Sequence, residues 1–120
     1  MTTAGFRRMA LELPGAEEKS HMNHPDFRVG GKIFATLGYP DETRGMVKLF
    51  PDQQEAFVGR DPRMFQPVPG GWGKQGCTHV LLKAAEAGRV REAMRAAWEK
   101  AAPKKVEAKT GAKAKKSRAV

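Results

Sequence analysis

Apolar and polar positions change period twice along the chain, and each change marks a new kind of element. Phe6, Met9, Ala10 and Leu13 fall at i, i+3, i+4 and i+7, one stripe of a helix. Thr2 or Thr3 supplies an N-cap oxygen, and Pro14-Gly15 stops the helix. The period then drops to two. Phe27 and Val29 flank Arg28, Gly30-Gly31 offers two residues that accept positive φ, and Lys32 to Leu37 continues as the second strand of a hairpin. Strict alternation puts Ile33, Ala35 and Leu37 on one face and Phe34 and Thr36 on the other. Residues 19–22 read as a short strand, His24-Pro25-Asp26 as a turn, residues 39–45 as a polar loop, and residues 46–50 as a further strand with Val47 and Leu49 inward.

Asp52-Gln53-Gln54-Glu55 has capping-box spacing and predicts a short helix over residues 53–58, ended by Gly59. Residues 61–73 are rich in Pro and Gly, with Met64-Phe65 as an edge strand and Gly70-Gly71-Trp72-Gly73 as a flexible loop carrying an aromatic ring. Residues 77–83 read as the last strand. The helical period returns at Val90, Ala93, Met94, Ala97, Trp98 and Ala101, and Pro103 ends it. This order predicts an α+β fold: a two-layer sandwich with helices on one face of an antiparallel sheet and the other face open for contact.

The charge alters this picture by its distribution. Lys and Arg number 22 against 13 Asp and Glu in 120 residues, a formal charge of +9. Seven of the basic residues and a single acid (Glu107) lie beyond residue 100, so residues 1–100 carry only +3, ordinary for a soluble domain. The last 20 residues lack Leu, Ile, Phe, Trp, Tyr and Met, and cannot bury enough surface to offset the entropy of ordering. Residues 1–102 are therefore expected as the domain and 103–120 as a disordered Lys/Ala-rich basic tail. Lys104, Lys105, Lys113, Lys115 and Lys116 in that tail are candidates for phosphate contact through counterion release. No apolar run reaches the roughly 20 residues of a membrane span. The N-terminus lacks the layout of a signal peptide, and the lone Cys77 cannot pair internally; a cytoplasmic protein is expected.

Chemistry-bearing side chains are few. His21, His24, Asp26, Cys77 and His79 are of metal-ligand type, but His-x-x-His ahead of a proline lacks the one-face geometry of a helical His-x-x-x-His. Cys77 and His79 point the same way on a strand, yet nothing local lowers the thiol pKa, so Cys77 reads as a small side chain opening a strand. No phosphate-binding loop or nucleophile elbow is present. Neither cofactor nor metal is expected, and the leaning is away from an enzyme. Basic and aromatic residues together say more. Arg28, Lys32, Arg44 and Lys48 lie on or beside the hairpin strands, and Lys74 sits near Trp72. Such a β-ribbon or loop can bring cations to phosphates and an aromatic to a sugar or base.

The run Leu13-Pro14-Gly15-Ala16-Glu17-Glu18, then His21, then Phe27-Arg28-Val29-Gly30-Gly31-Lys32-Ile33-Phe34-Ala35, resembles the MmcQ/YjbR family of small bacterial proteins. Asp61-Pro62-Arg63-Met64-Phe65 and Gly71-Trp72-Gly73 extend the likeness, which covers roughly residues 3–101. The resemblance implies a CyaY-like fold and a "double wing" shape whose two projections straddle DNA. It brings no catalytic residues. Cys77 stands where that family often has an aromatic. The expectation is a DNA-binding protein without sequence preference, contacting duplex phosphates through hairpin and loop cations and the tail. The alternative is a small-molecule or protein-binding module that uses the open sheet face and the Trp72 loop.

Overall fold

The apolar stripe of the first segment closes into α1 (Thr3–Leu11), with the Thr2 hydroxyl accepting the Gly5 N–H at 2.9 Å. Phe6, Met9 and Ala10 are buried from it. The computed structural model describes residues 1–103 apart from Met22. Among these, six strands form one sheet: β1 (Glu17–His21), β2 (His24–Val29), β3 (Lys32–Leu37), β4 (Arg44–Lys48), β5 (Phe65–Pro67) and β6 (Cys77–Leu81). Their order is β1-β2-β3-β4-β6-β5, and every neighbouring pair is antiparallel. The helices α2 (Pro51–Arg60), α3 (Gly71–Lys74) and α4 (Ala87–Ala101) complete the chain, with a 3₁₀ turn at Leu82–Ala84. The expected two-layer α+β sandwich is the observed one.

α4 lies across β2, β3 and β4, with α1 beside it. The predicted stripe Val90, Ala93, Met94, Ala97 and Trp98 is buried against the sheet. Trp98 also donates its indole N–H to the Pro14 carbonyl at 2.9 Å, which ties α4 to the connection after α1. Phe27 and Val29 of β2, Val47 of β4, Val80 of β6 and Phe65 of β5 supply the sheet's half of the core. Gly45 of β4 leaves room for α1: a Cβ there would lie 2.7 Å from the Phe6 ring. Gly30 and Gly31 join β2 to β3 with φ of 59° and 83°, the left-handed conformations that the pair was expected to provide.

Several expectations fail at the level of phase and boundary. β3 does not alternate strictly. Its pairing passes from Phe27–Ala35 to Arg28–Ile33, so Phe34 is an extra residue in a β-bulge. The bulge turns Phe34 and Ala35 both into the core, each 0% exposed, and sends Ile33 to the opposite face. His24-Pro25-Asp26 is not a turn; it opens β2, and the reversal falls before it, where Asn23 has φ of 68°. Proline is tolerated there because β2 begins at this point. α2 starts two residues ahead of expectation, since Pro51 fits its first turn and the Gln53 side chain accepts the Phe50 N–H at 3.1 Å. Gly59 does not end it; the helix runs on to Arg60. Gly71-Trp72-Gly73 is no open loop but part of the one-turn α3. β6 is shorter than predicted, because the 3₁₀ turn takes over at Leu82.

Candidate functional site

The face of the sheet away from α1 and α4 is made by the alternate residues that sequence patterning left outside the core. Asp26 of β2, Thr36 of β3, Met46 of β4 and His79 of β6 stand side by side across four strands in register. Ile33, Lys48 and Cys77 extend this floor. Two walls turn it into a groove of about 610 Å³. At one end stands Tyr39, 60% exposed, packed edge-on to the His24 ring with centroids 5.7 Å apart. At the other stands Trp72 of α3, 62% exposed.

The Trp72 wall is fixed from beneath. The Gln54 side-chain amide donates to the carbonyls of Gly73 and Cys77, each at 3.0 Å, and so pins α3 and β6 to α2. Gly76 has φ of 108°, and a Cβ on it would fall 1.8 Å from the Leu49 carbonyl oxygen. The Gly76 carbonyl in turn accepts the Leu49 N–H at 3.0 Å. The Tyr39 wall is held by a local network in which the Asp41 carboxylate accepts from the Thr43 N–H at 2.8 Å and from the Thr43 hydroxyl. Those hydrogen bonds hold the Asp41 carboxyl below its ordinary range.

Polar groups on the floor are sparse and specific. Asp26, 1% exposed, accepts from the Arg28 Nε at 2.8 Å and from Nη2 at 3.1 Å, a bidentate pair. That pairing raises the Arg28 pKa. His79 is 3% exposed, and its Nδ1 is buried with no hydrogen-bond partner among the described residues. Burial, then the charge of Arg44, pushes its pKa down, against a weaker pull from the Gly45 backbone and Asp41. Burial also pushes the Cys77 thiol up, while Lys48 and Lys100 draw it down. Among the described residues, no group of three or more His, Cys, Asp or Glu is gathered to hold a metal ion.

The predicted cations part company in the fold. Arg28 is engaged by Asp26. Arg44 sits at the Tyr39 end of β4, next to Leu81. Lys32, Lys48 and Lys74 fall toward the opposite end, where Lys48 pairs with Cys77 in register and its Nζ lies 5.9 Å over the Trp72 ring. This end gains a cation that sequence reasoning missed. Lys100, in the last turn of α4, lies 5.2 Å over the ring of Phe50, itself 49% exposed. Pro103 packs against Gly30, since a Cβ on that glycine would meet Pro103 Cδ at 2.6 Å. The chain therefore leaves α4 at the β2–β3 turn, beside Lys32. Lys104, Lys105, Lys113, Lys115 and Lys116 lie outside the described residues. Ile33, Tyr39 and Met46 were also missed as site residues. Met46 and Thr36 were recoverable from alternation with Val47 and Ala35; Ile33 was hidden by the bulge.

An antiparallel sheet covered by helices on one face and grooved on the other defines a two-layer α+β domain with an open-faced sheet. The YjbR family model matches residues 11–100, and the chain belongs to that family, as its motifs implied. It is similar in fold to a crystallised protein of Deinococcus radiodurans that carries the domain DUF419. The TM-score is 0.70 at 22% identity, over 92% of this chain and 88% of that one. No curated protein matches the chain. No helix of the described residues is long and apolar enough to cross a membrane.

Proposed function

We propose that the protein binds DNA without sequence preference through one pole of the molecule rather than through its whole basic surface. The observation that carries this reading is the gathering of Lys32, Lys48, Lys74 and Lys100 with the exposed rings of Trp72 and Phe50 around the point where the chain leaves α4. The segment that follows carries seven Lys and Arg against one Glu. Lysines at such a pole neutralise phosphates and release counterions, which gives affinity without reading bases. The two rings add stacking surface wherever bases are unpaired. Arg28 contributes little to this, because its charge is already met by Asp26, and Arg44 stands at the far end.

Fluorescence anisotropy of labelled duplex and single-stranded DNA, titrated at several salt concentrations, tests the reading. Each phosphate contact adds roughly 0.9 to the log–log salt slope, so four pole lysines give about 4 and the terminal cations about 6 more. The chain ending at residue 103 keeps the buried core, which spans Phe6 to Trp98. It is expected to bind with the smaller slope. Absence of binding by the full chain at low salt sinks the proposal. Binding that vanishes completely with residues 104–120 sinks the role of the pole.

A further inference from the structure

The groove on the open sheet face shares Lys48 and Trp72 with the pole, but the rest of its lining carries a different chemistry. A volume of about 610 Å³ lies within the usual range of small-molecule sites, roughly 300–1,000 Å³. Its body is apolar and its two ends are aromatic. Trp72 and Tyr39 both line it and are more than half exposed, a costly arrangement for two large rings at the edges of a largely apolar groove. The charges around it nearly cancel. Asp26 is matched by Arg28, which leaves Lys48 as the lining cation with no carboxylate partner among the described residues. His79 adds a buried ring nitrogen without a partner on the floor. A site of few polar groups set in apolar walls selects shape first and one or two polar contacts second.

We infer that this groove binds a planar aromatic monoanion, with the ring system lying over Thr36, Met46 and His79 between Tyr39 and Trp72 and the anionic group reaching Lys48. The inference shares Lys48 and Trp72 with the proposed DNA contact but is tested apart from it, because small-molecule binding is read on the protein without DNA and the chain ending at residue 103 retains the groove. A polyanion does not fit the groove, since Lys48 is the single Lys or Arg lining it among the described residues. A neutral ring fits the walls but leaves Lys48 unused.

Naphthoate, a fused aromatic ring with one carboxylate, is the probe, and naphthalene methanol, with the same rings and no charge, is its control. Both are titrated against the full chain, followed by Trp72 emission and by backbone amide chemical shifts. Saturable naphthoate binding is expected, with shifts concentrated at Thr36, Met46, Trp72 and His79. Losing a charge-assisted contact costs about 1.5–3 kcal/mol, so the methanol should bind at least about tenfold more weakly. Lys48→Met should impose a similar loss on naphthoate and none on the methanol. Thr36→Phe, which fills the floor from a half-buried position outside the core, should abolish both, with the melting temperature checking that each variant folds. Shifts that cluster on α1 or α4, or equal affinity for the two probes in the parent and Lys48→Met proteins, would overturn the inference. So would failure of naphthoate to bind the folded full chain, with sedimentation telling whether a second copy of the chain closes the groove instead.

Discussion

His79 shows how one strand residue can be plain in the sequence and opaque in its role. Its place on β6 and its shared direction with Cys77 followed from alternation alone. Its burial did not, because that depends on Met46 and Gln66, which flank it in register from β4 and β5. The consequence is a pH dependence whose sign is fixed. Folding lowers the imidazole's affinity for a proton below its ordinary value of 6.5. As pH falls through that value the unfolded chain takes up a proton that the native site refuses, so stability is complete above it and declines below. Between about pH 7.5 and about pH 5.5 the urea midpoint of the parent should therefore fall more than that of His79→Gln. Equal declines in the two proteins would show that His79 is not the group responsible. Asp41 acts in a lower window. Its depressed pKa contributes stability that is lost only as pH drops below 3.8.

Elements were legible wherever a period ran long enough to be read, and illegible where a single residue broke it. The 15-residue α4 carried its stripe for three turns, and every buried position on it was foreseen. β3 has six residues, and one extra residue at Phe34 reversed half of its faces. Nothing in the order Ile33-Phe34-Ala35 announces a bulge, since all three are apolar and either phase of alternation buries apolar side chains. The groove depends on that event, because strict alternation would have sent Ile33 to the core and Phe34 to the open face. α3 was hidden for a different reason. Four residues are too few for a helical period, and its stability comes from Gln54 and from close backbone approach at Gly76, not from its own sequence. This locates a prediction at the β4–β6 end of the sheet. Gly76→Ala forces a Cβ against the Leu49 carbonyl at a φ that disfavours side chains, and should cost about 3 kcal/mol in chemical denaturation. Gly59→Ala, in α2 with open space around it, should be neutral or mildly stabilising. If the two variants were equally stable, the packing at Gly76 would be unimportant.

At the scale of the whole molecule, the decisive quantity is where the charge stands, not how much of it there is. A formal +9 spread evenly would make every lysine and arginine a comparable contributor to phosphate binding. The fold instead gives the domain's cations different settings, of which three bear on the pole. Arg7, Arg28, Arg60, Arg91 and Arg95 are occupied by carboxylates, at Glu18, Asp26, Glu92, Glu12 and Glu99. Arg44 stands at the Tyr39 end of the sheet. Lys48 and Lys100 lie over exposed rings at the pole from which residues 104–120 depart. Net charge and pole therefore predict different mutants. In the chain ending at residue 103, Lys48→Ala with Lys100→Ala should lower the salt slope of DNA binding by about 2, each lysine contributing roughly 0.9. Arg44→Ala removes one unit of charge from the opposite end and should leave the slope within about 0.3 of the parent, not the roughly 0.9 lower that a phosphate contact predicts, since a cation beyond about 10 Å from the phosphates is screened at 0.1 M salt. Equal losses per charge removed at both ends would return the interaction to bulk charge and remove the pole from the account.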